Sequence, residues 1–129
     1  MLEFITLPDS LLPPPAPYSH AVRAGDFIFV TGQLAEDPVT GEIQRGSAAE
    51  QTKRVMENLK LVLNHAQTGF DQVVMARLFL TDFRDYQAVN EIFSSYFSEG
   101  RRPSRTTIGA IALAGQGDVE IDLIVYCGD

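Results

Sequence analysis

The chain has 129 residues, 45% hydrophobic and 21% charged, which suits one compact globular unit and excludes a disordered or fibrous chain. A formal net charge of −7 repels phosphate backbones, so no nucleic-acid partner is expected and a small-molecule or protein partner is favoured. The lone Cys127 cannot form an internal disulfide, no charged-then-apolar leader precedes the fold, and no apolar run approaches the ~18 residues of a membrane span; a soluble cytoplasmic chain without membrane association is expected.

Residues 1–17 are expected to form an extended arm, because Leu11-Leu12-Pro13-Pro14-Pro15-Ala16-Pro17 cannot be helical when proline fixes φ and removes backbone donors. A plain connector is the favoured reading, and a ligand for another protein's aromatic groove the other. Ser19 to Ala24 and Phe27 to Leu34 read as strands joined at Gly25-Asp26, a pair suited to a type II′ hairpin turn. Another turn follows at Asp37-Pro38-Val39-Thr40-Gly41.

Ser47 with Glu50 three residues later forms a capping box, and Val55, Leu59, Val62, Leu63 and Ala66 recur at helical spacing. A helix is therefore predicted over 47–67, ended by Gly69. Val73 to Leu80 reads as a buried strand. Tyr86, Val89, Phe93 and Phe97 fall on one face of a second helix that stops before Gly100, and this aromatic stripe is read as core rather than as a cofactor box.

Thr106 to Leu113 and Val119 to Tyr126 are the last predicted strands; in the latter, Glu120 and Asp122 share a face opposite Val119, Ile121, Leu123 and Val125. The order gives an α+β fold of one domain over 1–129, its helices packed on one side of a sheet.

His20, His65 and Cys127 offer no metal-ligand spacing, so no metal is expected. His65 suits a solvent-facing position near a helix end, and Gly115-Gln116-Gly117 lies between strands and reads as a turn rather than a phosphate loop. Cys127 has no nearby histidine in sequence to activate it. Two features stand apart. Arg101-Arg102-Pro103-Ser104-Arg105 places three of ten basic residues in five positions, either as an anion site, since a guanidinium fork matches a carboxylate, or as a solvated loop pairing with Glu99 and other surface acids. Glu120 interrupts an apolar strand; it either activates a water or faces solvent, and from burial tendencies alone the solvent reading is favoured.

Several segments in order and spacing resemble the RidA/YjgF deaminases: Pro17-Tyr18-Ser19-His20-Ala21-Val22, then Gly25-Asp26-Phe27-Ile28-Phe29-Val30-Thr31-Gly32-Gln33, then Glu50-Gln51-Thr52 leading to Asn58-Leu59-Lys60. Val89-Asn90-Glu91, Arg102-Pro103-Ser104-Arg105-Thr106-Thr107 and Val119-Glu120-Ile121 continue the series. The resemblance runs from about Tyr18 to Tyr126 and rests on collinearity, each match being weak alone.

It implies a chorismate-mutase-like fold, a homotrimer whose sheets enclose a barrel, and ligand clefts between neighbouring subunits. It also implies cofactor-free hydrolysis of 2-enamine and 2-imine intermediates to 2-keto acids and ammonia, with imine and 2-keto acid ligands. Arg105 matches the carboxylate anchor and Glu120 the acid that positions water or relays a proton. Tyr18 matches a phenol closing the cleft, Asn90 a helix residue beside it, and Thr31 with Gly32 a hydroxyl and backbone pair lining it. Thr107 stands where many members have cysteine, Thr31 where serine is frequent, and His20 where glutamine is. A ligand-sensing or protein-interaction module on the same trimeric fold is the alternative, and the nuclease role sometimes linked to relatives is disfavoured by the net charge.

Overall fold

The computed structural model describes residues 1–8, 11 and 13–128; Leu12 of the proline-rich segment lies outside them. Its six strands, β1 (Leu2–Ile5), β2 (Ala21–Ala24), β3 (Phe27–Gln33), β4 (Val73–Leu80), β5 (Ser104–Gly109) and β6 (Val119–Tyr126), join two helices, α1 (Ala48–His65) and α2 (Tyr86–Ser94). The sheet runs in the order β1-β2-β3-β6-β4-β5. All neighbours are antiparallel except β4 and β5, which the α2 crossover makes parallel.

The alternation in β6 fixes its two faces as expected. Val119, Ile121, Leu123 and Val125 are buried together with Ile28, Val30, Ala76, Leu78 and Leu80, and Val55, Leu59, Val62, Val89 and Phe93 of the two helices join the same cluster. Both helices therefore cover one face, each fully buried Leu or Ile contributing roughly 1.5–3 kcal/mol. Among the described residues neither α-helix covers the other face.

Ser47 caps α1 as predicted: its hydroxyl accepts from the Glu50 N–H and the Glu50 carboxylate accepts from the Ser47 N–H. The helix ends before Gly69, however, because Gln67 takes the left-handed conformation at φ 61° while Gln67 and Thr68 donate back to the carbonyls of Asn64 and Leu63, a Schellman closure that a glycine usually makes. Gly25 has φ 61° and, with Ala24 paired to Phe27, forms the two-residue hairpin turn expected from its sequence.

Larger differences from expectation lie at three further places. The arm over 1–17 is extended at its start but not free, since Leu2–Ile5 is the edge strand of the sheet, paired with β2. Beyond it the chain turns where Leu11 N–H reaches the Pro8 carbonyl, and the buried His20 accepts from the Leu7 N–H through Nδ1 at 3.0 Å. The strand expected to reach Leu113 stops at Gly109, the residue paired with the last residue of β4, Leu80; with no partner left, the edge strand has no ladder to continue. The second helix ends at Ser94, the chain reaching Phe97 through turns.

Candidate active site

The sheet register sorts the expected site residues into two groups. Across the helix-covered face, Ile5, Ala21, Val30, Leu123 and Ala76 pair in succession, and Arg105 ends the row at the β5 edge. Thr107 pairs with Leu78 on that same face. Glu120 pairs with Phe79, one step out of phase with Ala76 and Leu78, and so emerges on the open face. Within one chain, Arg105 and Glu120 lie on opposite sides of the sheet.

The Arg105 group is built on α2. The guanidinium carbon lies 5.5 Å from the Tyr86 ring centroid and 5.2 Å from that of Phe93, and Nη2 donates to the Tyr86 hydroxyl at 3.0 Å. Among the described residues Arg105 has no carboxylate partner. It lines a groove of about 430 Å³ with Asn90, Arg102 and Phe97. The Asn90 Oδ1 is sealed from solvent and accepts no hydrogen bond among the described residues. An arginine held beside two rings, with a carboxamide lining the same groove, is suited to grip a planar carboxylate.

Of the three clustered arginines, the structure distinguishes each. Arg101 donates to the Asp71 carbonyl and is a loop clamp, Arg102 is exposed at the groove, and Arg105 alone is stacked. The pairing with Glu99 considered from sequence is absent among the described ion pairs.

The Glu120 group forms where β3 is irregular. The register between β3 and β6 shifts between Val30 and Gln33, and a Cβ on Gly32 would collide with the Glu120 carboxylate. The φ of Gly32 is ordinary, so what the glycine provides is a close approach of the backbone to the Glu120 carboxylate, which a side chain here would displace from its position. Thr31 is occupied: its hydroxyl donates to the Ser19 carbonyl at 2.6 Å, tying β3 to the segment that carries Tyr18. Tyr18, 42% exposed, lines a small cavity of about 50 Å³ with His20, Gly32 and Glu36.

Burial pushes the Glu120 carboxyl above the usual carboxylate range, Asp122 adds to the shift, and Arg77 opposes it. Burial likewise raises Glu36, and the Tyr18 phenol is raised by burial and by the nearby Glu36 and Glu120. The cation on this face is Arg77, which grips Asp122 in a two-pronged pair at 3.0 and 2.6 Å and stacks on Phe79. Asp122 thus shares the Glu120 face as read from sequence, and is already engaged.

Other motif residues position these groups. Gln51, almost wholly buried, exchanges hydrogen bonds with Asp118 at the entrance to β6. Asn58 donates to the carbonyls of Leu34 and Glu36 and so pins the loop leaving β3. Sequence reasoning missed Tyr86 as an Arg105 ligand: in the aromatic stripe, Val89, Phe93 and Phe97 are core as expected, but Tyr86 is 38% exposed and turned to the arginine. The i, i+3, i+7 spacing carries no signal for that difference. Among the described residues no group of three or more His, Cys, Asp or Glu could hold a metal, and no helix is long and apolar enough to cross a membrane.

This chain is similar in sequence to a RutC family protein of Pyrococcus abyssi, 42% identical over 113 residues that cover 88% of each chain. It is 36% identical over 112 residues to the 2-iminobutanoate/2-iminopropanoate deaminase of Capra hircus, covering 87% of this chain and 81% of that one. Among solved structures, RidA from the Antarctic bacterium Psychrobacter sp. superposes with a TM-score of 0.87 at 34% identity, covering 94% of this chain and 97% of the other. TdcF of E. coli with bound serine superposes at 0.81 with 27% identity, covering 88% and 90%. The family model described as Endoribonuclease L-PSP matches residues 9–127, nearly the whole chain, and the protein belongs to that family, the RidA/YjgF proteins.

Proposed function

We propose that this protein is a cofactor-independent deaminase that hydrolyses 2-enamine and 2-imine intermediates to 2-keto acids and ammonia, acting as a homotrimer. The observation that carries the reading is the division of the site: Arg105 and Thr107 stand on one face of the sheet, with Asn90 beside the arginine, and Glu120 on the other, with Gly32 and Tyr18 near it and Thr31 next to Gly32. Each half lacks what the other has, a carboxylate anchor in one and a proton acceptor in the other. A cyclic assembly that brings the β5 edge of one copy against the bulged β3 of the next would join them.

The open face gives such an assembly its driving force. Phe4, Val22, Phe29, Ile124 and Met75 pair in succession straight across the sheet, with Phe4 and Phe29 66% and 47% exposed. A continuous apolar row of this kind is a feature of an interface rather than of a free surface.

In the joined site, Arg105 holds the substrate carboxylate through two parallel N–H donors. The enamine first takes a proton on carbon to become the iminium, the protonated imine. Water then adds its oxygen to the iminium carbon while Glu120 accepts one of its protons, giving a neutral amino alcohol. Glu120 returns that proton to the nitrogen, and collapse expels ammonia as the hydroxyl proton passes to the Glu120 carboxylate, leaving the 2-keto acid. Imines hydrolyse readily, so orientation of water and substrate supplies most of the acceleration.

The test generates imines in situ from a panel of amino acids with an amino-acid oxidase, in the presence of semicarbazide. Suppressed semicarbazone formation and faster 2-keto acid release support the reading. Binding of 2-keto acids without any suppression favours a ligand-sensing module, and RNA cleavage that survives repeated purification favours the nuclease.

A further inference from the structure

We propose that Tyr86 is the positioning residue that fixes the guanidinium of Arg105, and so sets how tightly the site grips a carboxylate. The inference rests on the reading of Arg105 as carboxylate anchor and adds a residue to it. Arg105 carries a long, rotamer-rich side chain on an edge strand, half-buried and without an ion-pair partner among the described residues. Left to itself such a side chain samples many orientations and loses them on binding.

Two contacts limit that freedom. The guanidinium carbon lies 5.5 and 5.2 Å from the ring centroids of Tyr86 and Phe93, and the phenol oxygen accepts from Nη2 at 3.0 Å. A guanidinium has five N–H donors; with one of them on Tyr86, a parallel pair remains for a carboxylate. Tyr86 is itself fixed. It is the first residue of α2 and stacks on Phe83, the centroids 5.8 Å apart and the planes 20° from parallel, while Phe83 packs against the space above Gly109, four residues beyond Arg105 on the same strand. The helix start, the ring pair and β5 form one framework around the arginine.

Tyr86→Phe keeps the ring and removes the hydroxyl. Because the carboxylate is gripped alike in ground and transition states, KM for the imine and Kd for 2-oxobutanoate should both rise about fivefold while kcat stays within about twofold, the scale of one lost hydrogen bond. In an Arg105→Ala background the same change should have no further effect on either constant. The free protein supplies an independent readout: the Arg105 side-chain N–H signals should be resolved by NMR in wild type and averaged by rotation in Tyr86→Phe.

Unchanged Arg105 signals would overturn the proposal, as would wild-type affinity for 2-oxobutanoate in Tyr86→Phe, or an equal effect of Tyr86→Phe with and without Arg105. If wild type neither hydrolyses imines nor binds 2-oxobutanoate, the functional reading fails. The NMR comparison then still decides whether Tyr86 holds Arg105.

Discussion

The two faces of the sheet were built from the same alternating strands and have opposite fates. On the helix-covered face the middle of the sheet is closed by packing and charge is confined to its margins, Glu3 and Arg23 toward β1 and Arg105 at the β5 edge beside Tyr86 and Phe93. On the open face Glu120 and Asp122 emerge among Phe79, Ile124 and Phe29, where a single chain covers them only in part. The comparison teaches that burial of the two faces is completed by different means: the first by the chain's own helices, the second, on our reading, by another copy. Arg105 and Glu120 are divided along the same line.

The largest expected effect comes from removing either charge and then mixing the results. Arg105→Ala should lower kcat/KM for imine hydrolysis by at least about a hundredfold, the scale of losing two charge-assisted hydrogen bonds, and Arg105→Lys should fail nearly as badly because an ammonium cannot present a planar fork. Glu120→Gln should lower kcat by about a hundredfold or more with little change in 2-keto acid binding. Co-refolding the Arg105→Ala and Glu120→Gln chains should then restore about a quarter of wild-type activity, since one neighbouring pair in four supplies both intact groups. No recovery at all would place both groups in one chain's site, against the register seen here.

Next in size is loss of assembly. Phe29→Asp puts a charge into the apolar row of the open face and should convert the trimer to monomers by light scattering while helical circular dichroism persists. Activity should fall with the trimer; an active monomer would break the division of the site.

A smaller effect tests the electrostatics. Within one chain the Glu120 carboxyl is raised by burial and by Asp122, so its folded pKa exceeds its unfolded value. The protonated form is then favoured by folding, and the stability this contributes is lost as pH rises through the folded pKa. Glu120→Gln should accordingly stabilise the Phe29→Asp monomer slightly at pH 7, as read by denaturant midpoint. In the trimer a partner's Arg105 should pull the Glu120 titration down relative to that monomer, followed by carboxyl-carbon NMR. Equal titration in both would leave no partner's Arg105 near Glu120.

Asp122→Asn should do least. Its pair with Arg77 is half in solvent, the arginine side chain 53% exposed, and such pairs contribute about 0–1 kcal/mol. Plateau activity should stay within about threefold of wild type, with the acid limb of the pH profile moved down because a neighbouring negative charge is gone. A loss larger than that of Glu120→Gln would exchange the roles of the two acids.

The sequence by itself determined the elements whose signals are local: the capping box at Ser47, the Gly25-Asp26 turn, and the alternation of β6 that sets Glu120 and Asp122 on one face. It also carried the ordered segments by which the family is recognised. Tertiary structure decided what depends on a partner distant in sequence. β5 ends where β4 ends, so its length is not written in residues 104–113 alone. Leu2–Ile5 is a strand because β2 offers an edge, and a four-residue segment has too little pattern to announce itself. Tyr86 left the aromatic stripe for Arg105 because helical spacing assigns a face but not which ring an arginine 19 residues away will meet. Most of all, two residues that the resemblance placed in one site were divided by the sheet, since register, a pairwise property of strands, chooses the face on which each side chain emerges.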